Sequence, residues 1–465
     1  MTTEQPPTDP PPPDSEMNDA FLADAARDDL PPLYHDRAFQ GMIGTQFFGA
    51  FNDNIFKQLV LLFALSATVG GEGKEAVESD LQWMVLFVFA LPFVLFSGFA
   101  GYLSDRYGKR GMIVLCKFAE IVVMLLGAAA FALHAGLGPQ AGFVGLMVVL
   151  FLMGTQSAFF GPGKYGVLPE MFRKSDLPNA NGMMVLTTFV AIILGVVLAG
   201  ALSDFFTGKL WMAVLICVGI AVVGTCTSFF LRQVPPAQPK LKFDKSCLTI
   251  ADDTWDMLRK DSPLVAALLV SSLFWLVAGL TQPTINAVGK FQLTTDDTAS
   301  RDLMISLLLG ASALGIGVGG VLAGKLSQGK TNFRLVKIGA LGIVACLLVL
   351  SLPGMGENWR TTHLLGYPTV FAVIMILGVF TGMFAIPLQV FIQSRPPDEQ
   401  KGRTIAVMNQ MNFLGILGAA LIYFVFDWIL TAWELPRSIA FLFTALFMLP
   451  AALFYHPKNE PADDK

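Results

Sequence analysis

Twelve apolar runs follow one another along this chain, at roughly 39–66, 82–103, 111–134, 141–162, 179–202, 209–231, 263–288, 302–325, 332–352, 368–394, 402–427 and 436–456. Each is long enough to cross the ~30 Å hydrocarbon core of a bilayer as a helix. In hydrocarbon the backbone must satisfy its own hydrogen bonds, and runs of this length do so as helices. The expectation is therefore an all-α membrane protein with twelve transmembrane helices. Composition agrees: 54% of residues are hydrophobic, 14% are charged, 39 are phenylalanine, and the mean hydropathy is +0.61. Those values exclude an ordinary soluble domain.

Twelve spans place both termini on one side, and the loop cations say which. The even-numbered loops carry Arg106, Lys109, Arg110, Lys164, Arg173, Lys174, Lys325, Lys330, Arg395, Lys401 and Arg403. The odd-numbered loops hold Lys74, Lys209, Lys290, Arg301, Arg360 and Arg437. By the positive-inside rule the even loops and both termini face the cytoplasm. Residues 1–38, with a proline cluster at Pro10 to Pro13 and no signal-peptide pattern, read as a disordered cytosolic tail, and 457–465 as a second one. The five cysteines show no disulfide or zinc spacing. No metal, cofactor or nucleic-acid partner is expected.

The longest connection, 232–262, divides the chain into six-helix halves at 39–231 and 263–456. It opens with Pro235, Pro236 and Pro239, continues through Lys240, Lys242 and Lys245, and then sets Leu248, Ala251, Trp255 and Leu258 at helical spacing. Asp252, Asp253 and Asp256 fall opposite, the pattern of an amphipathic helix lying along the inner membrane face. The halves echo one another. Gly154-Thr-Gln-Ser-Ala-Phe-Phe-Gly-Pro162 resembles Gly378-Val-Phe-Thr-Gly-Met-Phe-Ala-Ile-Pro387, and Gly320 to Lys330 is a degraded copy of Gly101 to Arg110. Small residues four apart (Ala191, Gly195 and Ala199; Gly315 and Gly319; Gly320 and Gly324; Gly415 and Ala419) predict close helix crossings.

Gly101-Tyr-Leu-Ser-Asp-Arg-Tyr-Gly-Lys-Arg110 is a short polar loop squeezed between two long apolar runs. Its pattern resembles the signature loop between helices 2 and 3 of the major facilitator superfamily. That resemblance implies two parallel six-helix repeats around a central cavity. It also implies a conformational latch at Gly101, Asp105, Arg106, Gly108 and Arg110.

Polar residues stand where lipid should be. The first run contains Gln46, Asn52, Asp53, Asn54, Lys57 and Gln58. A carboxylate near the bilayer centre costs at least ~2.5 kcal/mol, so Asp53 is a functional candidate by default. Gln46, Asp53 and Lys57 share one helical face, which should line a cavity; the alternative is that Asp53 and Lys57, four apart, neutralise each other. Lys117 and Glu120 in the third run read as an internal pair near the cytoplasmic interface, with Lys117 snorkelling. Lys164, at the exit of the fourth run, offers a cation at headgroup depth, suited to a phosphate or to a gate. Among the neutral amides of the second half, Gln282 and Gln389 are the candidates for the cavity, and the remainder read as glue between helices. Phe87, Phe89, Phe93 and Phe96, with Phe371, Phe380 and Phe384, could wall an acyl chain.

Three stretches, Gln46-Phe-Phe-Gly-Ala-Phe-Asn-Asp-Asn54, Ala158-Phe-Phe-Gly-Pro-Gly-Lys-Tyr-Gly-Val-Leu-Pro169 and Asn179-Ala-Asn-Gly-Met-Met184, resemble the bacterial lysophospholipid transporter family. Ser272-Leu-Phe-Trp275 and Pro387 to Arg395 fit it too. The resemblance implies a transporter of the inner (plasma) membrane. It would move lysophospholipids, such as 2-acyl-glycerophosphoethanolamine, to the cytoplasmic leaflet by alternating access. It also implies that Asp53 serves the substrate cavity; where relatives carry an arginine in the seventh span, this chain has Gln282. Some members fuse the carrier to an acyltransferase and an acyl-carrier-protein synthetase. This chain shows neither a His-x-x-x-x-Asp pattern nor a phosphate-loop motif. It reads as a non-enzyme whose reacylating partner is a separate protein. A proton-coupled exporter of amphipathic drugs and a membrane scaffold for lipid-repair enzymes are the competing expectations.

Overall fold

The computed structural model describes residues 30–65, 67–69, 77–137, 139–236, 239, 252–295, 298–327, 332–397 and 401–455. The expected tails at 1–29 and 457–465 lie outside the described residues, as do Lys240 to Ala251 of the linker.

Among the described residues, twelve long helices follow the apolar runs. They are α1 (Arg37–Ala64), α2 (Gln82–Tyr107), α3 (Lys109–Leu137), α4 (Pro139–Gly166), α5 (Leu177–Phe205) and α6 (Leu210–Ser228) in the first half. The second half holds α7 (Ser262–Val288), α8 (Arg301–Ser327), α9 (Phe333–Leu350), α10 (Gly366–Ser394), α11 (Lys401–Ala432) and α12 (Ile439–Phe454). Ten of them, among the described residues, are long and apolar enough by composition to cross a membrane. The exceptions have plain causes: α1 carries the polar stripe, and α12 is only 16 residues long.

Local chemistry sets several boundaries. Asp36 caps α1 by accepting from the Ala38 amide at 2.8 Å, and Asp261 and Asn332 cap α7 and α9 in the same way. Gly108, at φ 86°, takes the left-handed turn that separates α2 from α3, which explains a glycine there. A two-stranded antiparallel hairpin, β1 (Ala67–Val69) with β2 (Val77–Ser79), bridges α1 and α2 and was not expected. The linker forms a nine-residue helix, Asp252–Lys260, with Leu258 buried and Trp255 exposed.

The sequence reading drew the disordered tail too long. Residues 30–38 dock on the bundle: Leu33 is buried, Tyr34 meets Phe39 edge-on, and Asp36 pairs with Arg232 at 2.9 Å.

Each half has its own apolar core. Phe56, Leu59, Met124, Leu150 and Cys217 belong to the first. Leu268, Leu308, Leu347, Ile374, Phe384 and Met448 belong to the second. Glycines let the helices within a half close up. A methyl added at Gly315, Gly319, Gly378 or Gly382 would run into backbone of the opposite helix, so α8 and α10 are in backbone contact. Gly195 meets the Phe51 carbonyl and Gly415 that of Ser272, as the spacing predicts, whereas Gly324 faces open space.

The halves meet where α5 packs on α8 and α2 on α11. We call the end of the bundle that holds the Gly101–Arg110 loop the basic end, and its opposite the far end. Hydrogen bonds between the halves gather at the far end. Gln58 donates to Asn286 at 3.2 Å and Asn286 to Gln82 at 2.8 Å. Tyr423 donates to Asp80 at 2.8 Å, Ser203 to Asp302 at 2.6 Å, and the Leu303 amide to Asp204 at 2.8 Å.

Candidate functional site

A cavity of about 760 Å³ lies between the halves. It is lined by α1 to α5 from one side and chiefly by α11 from the other, and it reaches Gly101 and Arg403 toward the basic end. The two walls differ in chemistry. The first-half wall holds Gln46, Asp53, Lys57, Lys117, Glu120 and Lys164. The second-half wall holds Trp275, Phe413, Ile405, Val407, Ile416 and the amides Asn409, Gln410 and Asn412, with Arg403 at its rim.

The α1 face is as the spacing predicts: Gln46, Asp53 and Lys57 all line the cavity. Asp53 and Lys57 feel each other's charge but form no direct ion pair. Asp53 Oδ2 accepts from Ser157 Oγ at 2.8 Å, while Lys57 Nζ lies 5.4 Å from the centre of the Phe89 ring. The second oxygen of Asp53 is buried without a partner. Gln46 donates to Thr188 Oγ1 at 2.7 Å; Thr188 spends its own proton on the Met184 carbonyl, so the amide orientation is fixed and Gln46 Oε1 is left unpartnered. Asn52 does not line the cavity but braces the site from behind, donating to Glu120 Oε1 at 2.8 Å.

Lys117 and Glu120 are more central than their reading as an interfacial pair. Both are 1% exposed, joined at 2.5 Å, and form part of the cavity wall. Lys117 does not snorkel. Its ammonium lies 5.5 Å from the centre of the Phe160 ring, fills the space a side chain at Gly49 would need, and is overlain by Gly224. Lys164 approaches the same Phe160 ring at 5.9 Å, so one aromatic ring is shared by two cations. The sequence showed two opposite charges inside a run; which neighbours would close over them is tertiary information.

Gln282 and Gln389 are not among the lining residues. Gln282 sits on the same stripe as Trp275 but two turns nearer the far end, where Pro283 and Asn286 have closed the seam. Gln389 is exposed and lies seven residues beyond Gly382, on the stripe that turns toward α8. Their place is taken by Asn409, Gln410 and Asn412, amides read from sequence as helix glue; Asn412 is that as well, accepting from Ser271 of α7 at 2.9 Å. The aromatic wall is also narrower than expected. Phe89 and Phe93 line the cavity, and Phe93 stacks on Phe413 across the halves at 4.0 Å. Phe96 packs on Phe151 and Phe159, and Phe384 is fully buried against Phe274.

The loop residues cluster at the basic end. Asp105 lies 3.4 Å from Lys109, which also pairs with Glu170; Arg106 donates to Tyr102; Arg110 donates to the Phe229 carbonyl at 3.3 Å. Each of these partners belongs to the first half.

A helical bundle of two six-helix halves, closed at one end around a central polar cavity, defines a multi-pass membrane carrier. The family model of the Major Facilitator Superfamily matches residues 42–420, and the chain belongs to that superfamily. Among curated relatives, "Lysophospholipid transporter LplT" of Serratia proteamaculans (strain 568) is 26% identical over 378 residues, covering 80% of this chain and 84% of that protein. The protein of the same name from Yersinia pestis (strain Pestoides F) is 27% identical, covering 80% and 82%. Among solved structures, a POT family transporter in complex with 5-aminolevulinic acid superposes with a TM-score of 0.66 at 14% identity, covering 90% of this chain and 96% of that one. The nucleoside transporter NupG superposes at 0.61 and 12% identity, covering 90% and 98%. At these identities the solved structures speak for the fold alone.

Proposed function

We propose that this carrier moves lysophospholipids across the bacterial inner membrane toward the cytoplasmic leaflet by alternating access, with the basic end facing the cytoplasm. The observation that carries the reading is a cavity with two kinds of surface: charged side chains gathered on the first-half wall, beside an apolar surface made by Phe89 and Phe93 with the apolar, amide-bearing second-half wall, in a volume closed at the far end. A one-chain lipid needs both surfaces at once. Its head group would meet Gln46, Asp53, Lys57 and Lys164, with Asn52 bracing them, and its chain would lie along Phe89, Phe93 and Phe413. Lys57, Lys164 and Arg403 bring basic side chains to the cavity lining, which suits a head bearing a phosphate. The relatives, lysophospholipid transporters by name, support the same substrate class.

In the opposite state, Asp105 and Arg106 would latch the basic ends of the two halves, with Gly101 and Gly108 permitting the close approach and Arg110 anchoring the loop. A separate acyltransferase or acyl-carrier-protein synthetase would consume the delivered lipid.

The test is uptake of labelled lysophosphatidylethanolamine into spheroplasts with and without the protein. Asp53→Asn should insert and fold yet lose at least tenfold in uptake. Normal uptake by that variant would return Asp53 to a structural role. Proton-dependent dye efflux without lipid uptake would favour the drug exporter.

A further inference from the structure

The far-end seam contains a carboxylate that substrate binding does not use. Asp80 stands between β2 and α2, outside the spans, and is 3% exposed. Its Oδ1 accepts from the Gln82 backbone and side-chain nitrogens at 3.0 and 3.2 Å. Its Oδ2 accepts from Tyr423 Oη of the other half at 2.8 Å and from Gln82 Nε2 at 3.2 Å. Behind them runs a directional chain that alternates between halves: Gln58 donates to Asn286, Asn286 to Gln82, and Gln82 to Asp80 and to the Pro283 carbonyl at 3.2 Å. Gln58, Asn286, Gln82 and Tyr423 thus all donate along paths that lead to this one carboxylate. Among the described residues no cation pairs with Asp80; the nearby Arg437 is taken by Asp427.

Tyr423 supplies the second half of the argument. Its single hydroxyl proton has two acceptors in reach, Asp80 Oδ2 at 2.8 Å and the Pro283 carbonyl at 3.3 Å. With Asp80 ionised, the hydroxyl donates to the carboxylate. With Asp80 protonated, it can turn to Pro283 and accept from Asp80, so the seam stays satisfied in both charge states. Opening the far end would separate Tyr423 from Asp80 and Asn286 from Gln82, and expose the carboxylate to water.

We propose that Asp80 is a proton-binding site whose occupancy sets whether the far end opens. The proposal rests on the alternating-access reading and adds the ion to which that movement is linked. Burial is the main reason the closed seam holds Asp80 at about 6 rather than an ordinary 3.8; the nearby Asp427 adds to it, and the Gln82 and Tyr423 hydrogen bonds and Arg437 oppose it. A group whose pKa is higher in the closed state is protonated on closing, so acid on the far side favours closure. Taking the ordinary value for the open state, the closed-to-open ratio should rise about tenfold between pH 8 and pH 5.

The experiment uses the full chain in lipid nanodiscs without lysophospholipid, native cysteines replaced by serine, and spin labels on Thr207→Cys and Trp433→Cys, two exposed far-end positions on opposite halves. Double electron–electron resonance from pH 5 to 8 should show the long-distance population shrinking about tenfold relative to the short one as pH falls. Asp80→Asn should remain closed at every pH. Tyr423→Phe, which removes a donor to the carboxylate, should move the midpoint upward and serves if Asp80→Asn does not fold. A wild-type ratio that ignores pH, an Asp80→Asn variant that keeps the wild-type dependence, or an unmoved Tyr423→Phe midpoint would overturn the proposal. Spheroplast uptake is scored separately. Uptake with a pH-insensitive far end refutes the proton site alone, whereas a pH-sensitive far end without uptake refutes the lipid reading alone.

Discussion

Replacing Glu120 by glutamine should be among the costliest conservative changes in the first half. Glu120 Oε2 lies 2.5 Å from Lys117 Nζ, both side chains are 1% exposed, and Asn52 satisfies the other carboxylate oxygen. Removing one charge of a buried pair leaves the other uncompensated, at a typical cost of about 3–5 kcal/mol. The glutamine oxygen would still accept from Lys117, and the Phe160 face stays in reach, so the lower end, about 3 kcal/mol, is expected. Removing both charges together, in Glu120→Gln with Lys117→Met, should recover most of that loss, because a buried pair is worth little against a packed apolar replacement. The assay is equilibrium unfolding in mixed micelles, single variants against the double, read by the fluorescence of the native tryptophans. A single variant as stable as the wild type, or a double variant no better than the single, would refute the description of Lys117 as a sealed, pair-dependent charge.

Gly319→Ala should cost about 1–3 kcal/mol or abolish folding, since the new methyl has only the Val379 carbonyl to occupy; thermal melting of the purified protein checks it, and a neutral result would mean that α8 and α10 are not in backbone contact. His363 lies in the α9–α10 connection and is buried, its Nε2 on the Leu350 carbonyl at 2.9 Å and its Nδ1 accepting from the Leu365 amide at 3.2 Å. That arrangement requires the neutral ring, and burial holds the imidazole below its ordinary 6.5 against the Leu350 bond. Stability from this site is therefore full above about 6.5 and should fall with acid. The loss should be missing from His363→Gln when melting is followed from pH 8 to 5. Asp80 works in the opposite sense, its buried charge costing stability as pH rises.

Hydrophobicity was enough to locate the twelve long helices, because a run that must satisfy its own backbone in lipid has few alternatives. The glycine stripes at Gly315 and Gly319 likewise announced a seam. What the sequence left open was rotation and depth. Gln282 and Gln389 are as polar as Asn409 and Gln410, yet a two-turn offset in α7 and the orientation of α10 toward α8 remove them from the cavity. Asn286, Gln82 and Tyr423 carry no local signal either: their meaning comes from the two halves closing on Asp80. Asp53 stood out because its cost in a membrane is large wherever it points, whereas an amide's cost depends on its neighbours.

The placement of Lys117 and Glu120 on one helix, three residues apart, also bears on how the chain is made. Spans enter the bilayer before the bundle around them is complete. A lone lysine on α3 would meet lipid while Gly49, Gly224 and Phe160 were still unassembled around it. Because its counter-charge travels on the same helix, α3 can be handed from the insertion machinery to the membrane as a near-neutral segment. Had the glutamate been on α6, equally close in the finished protein, the same contact would have come too late to help α3 insert.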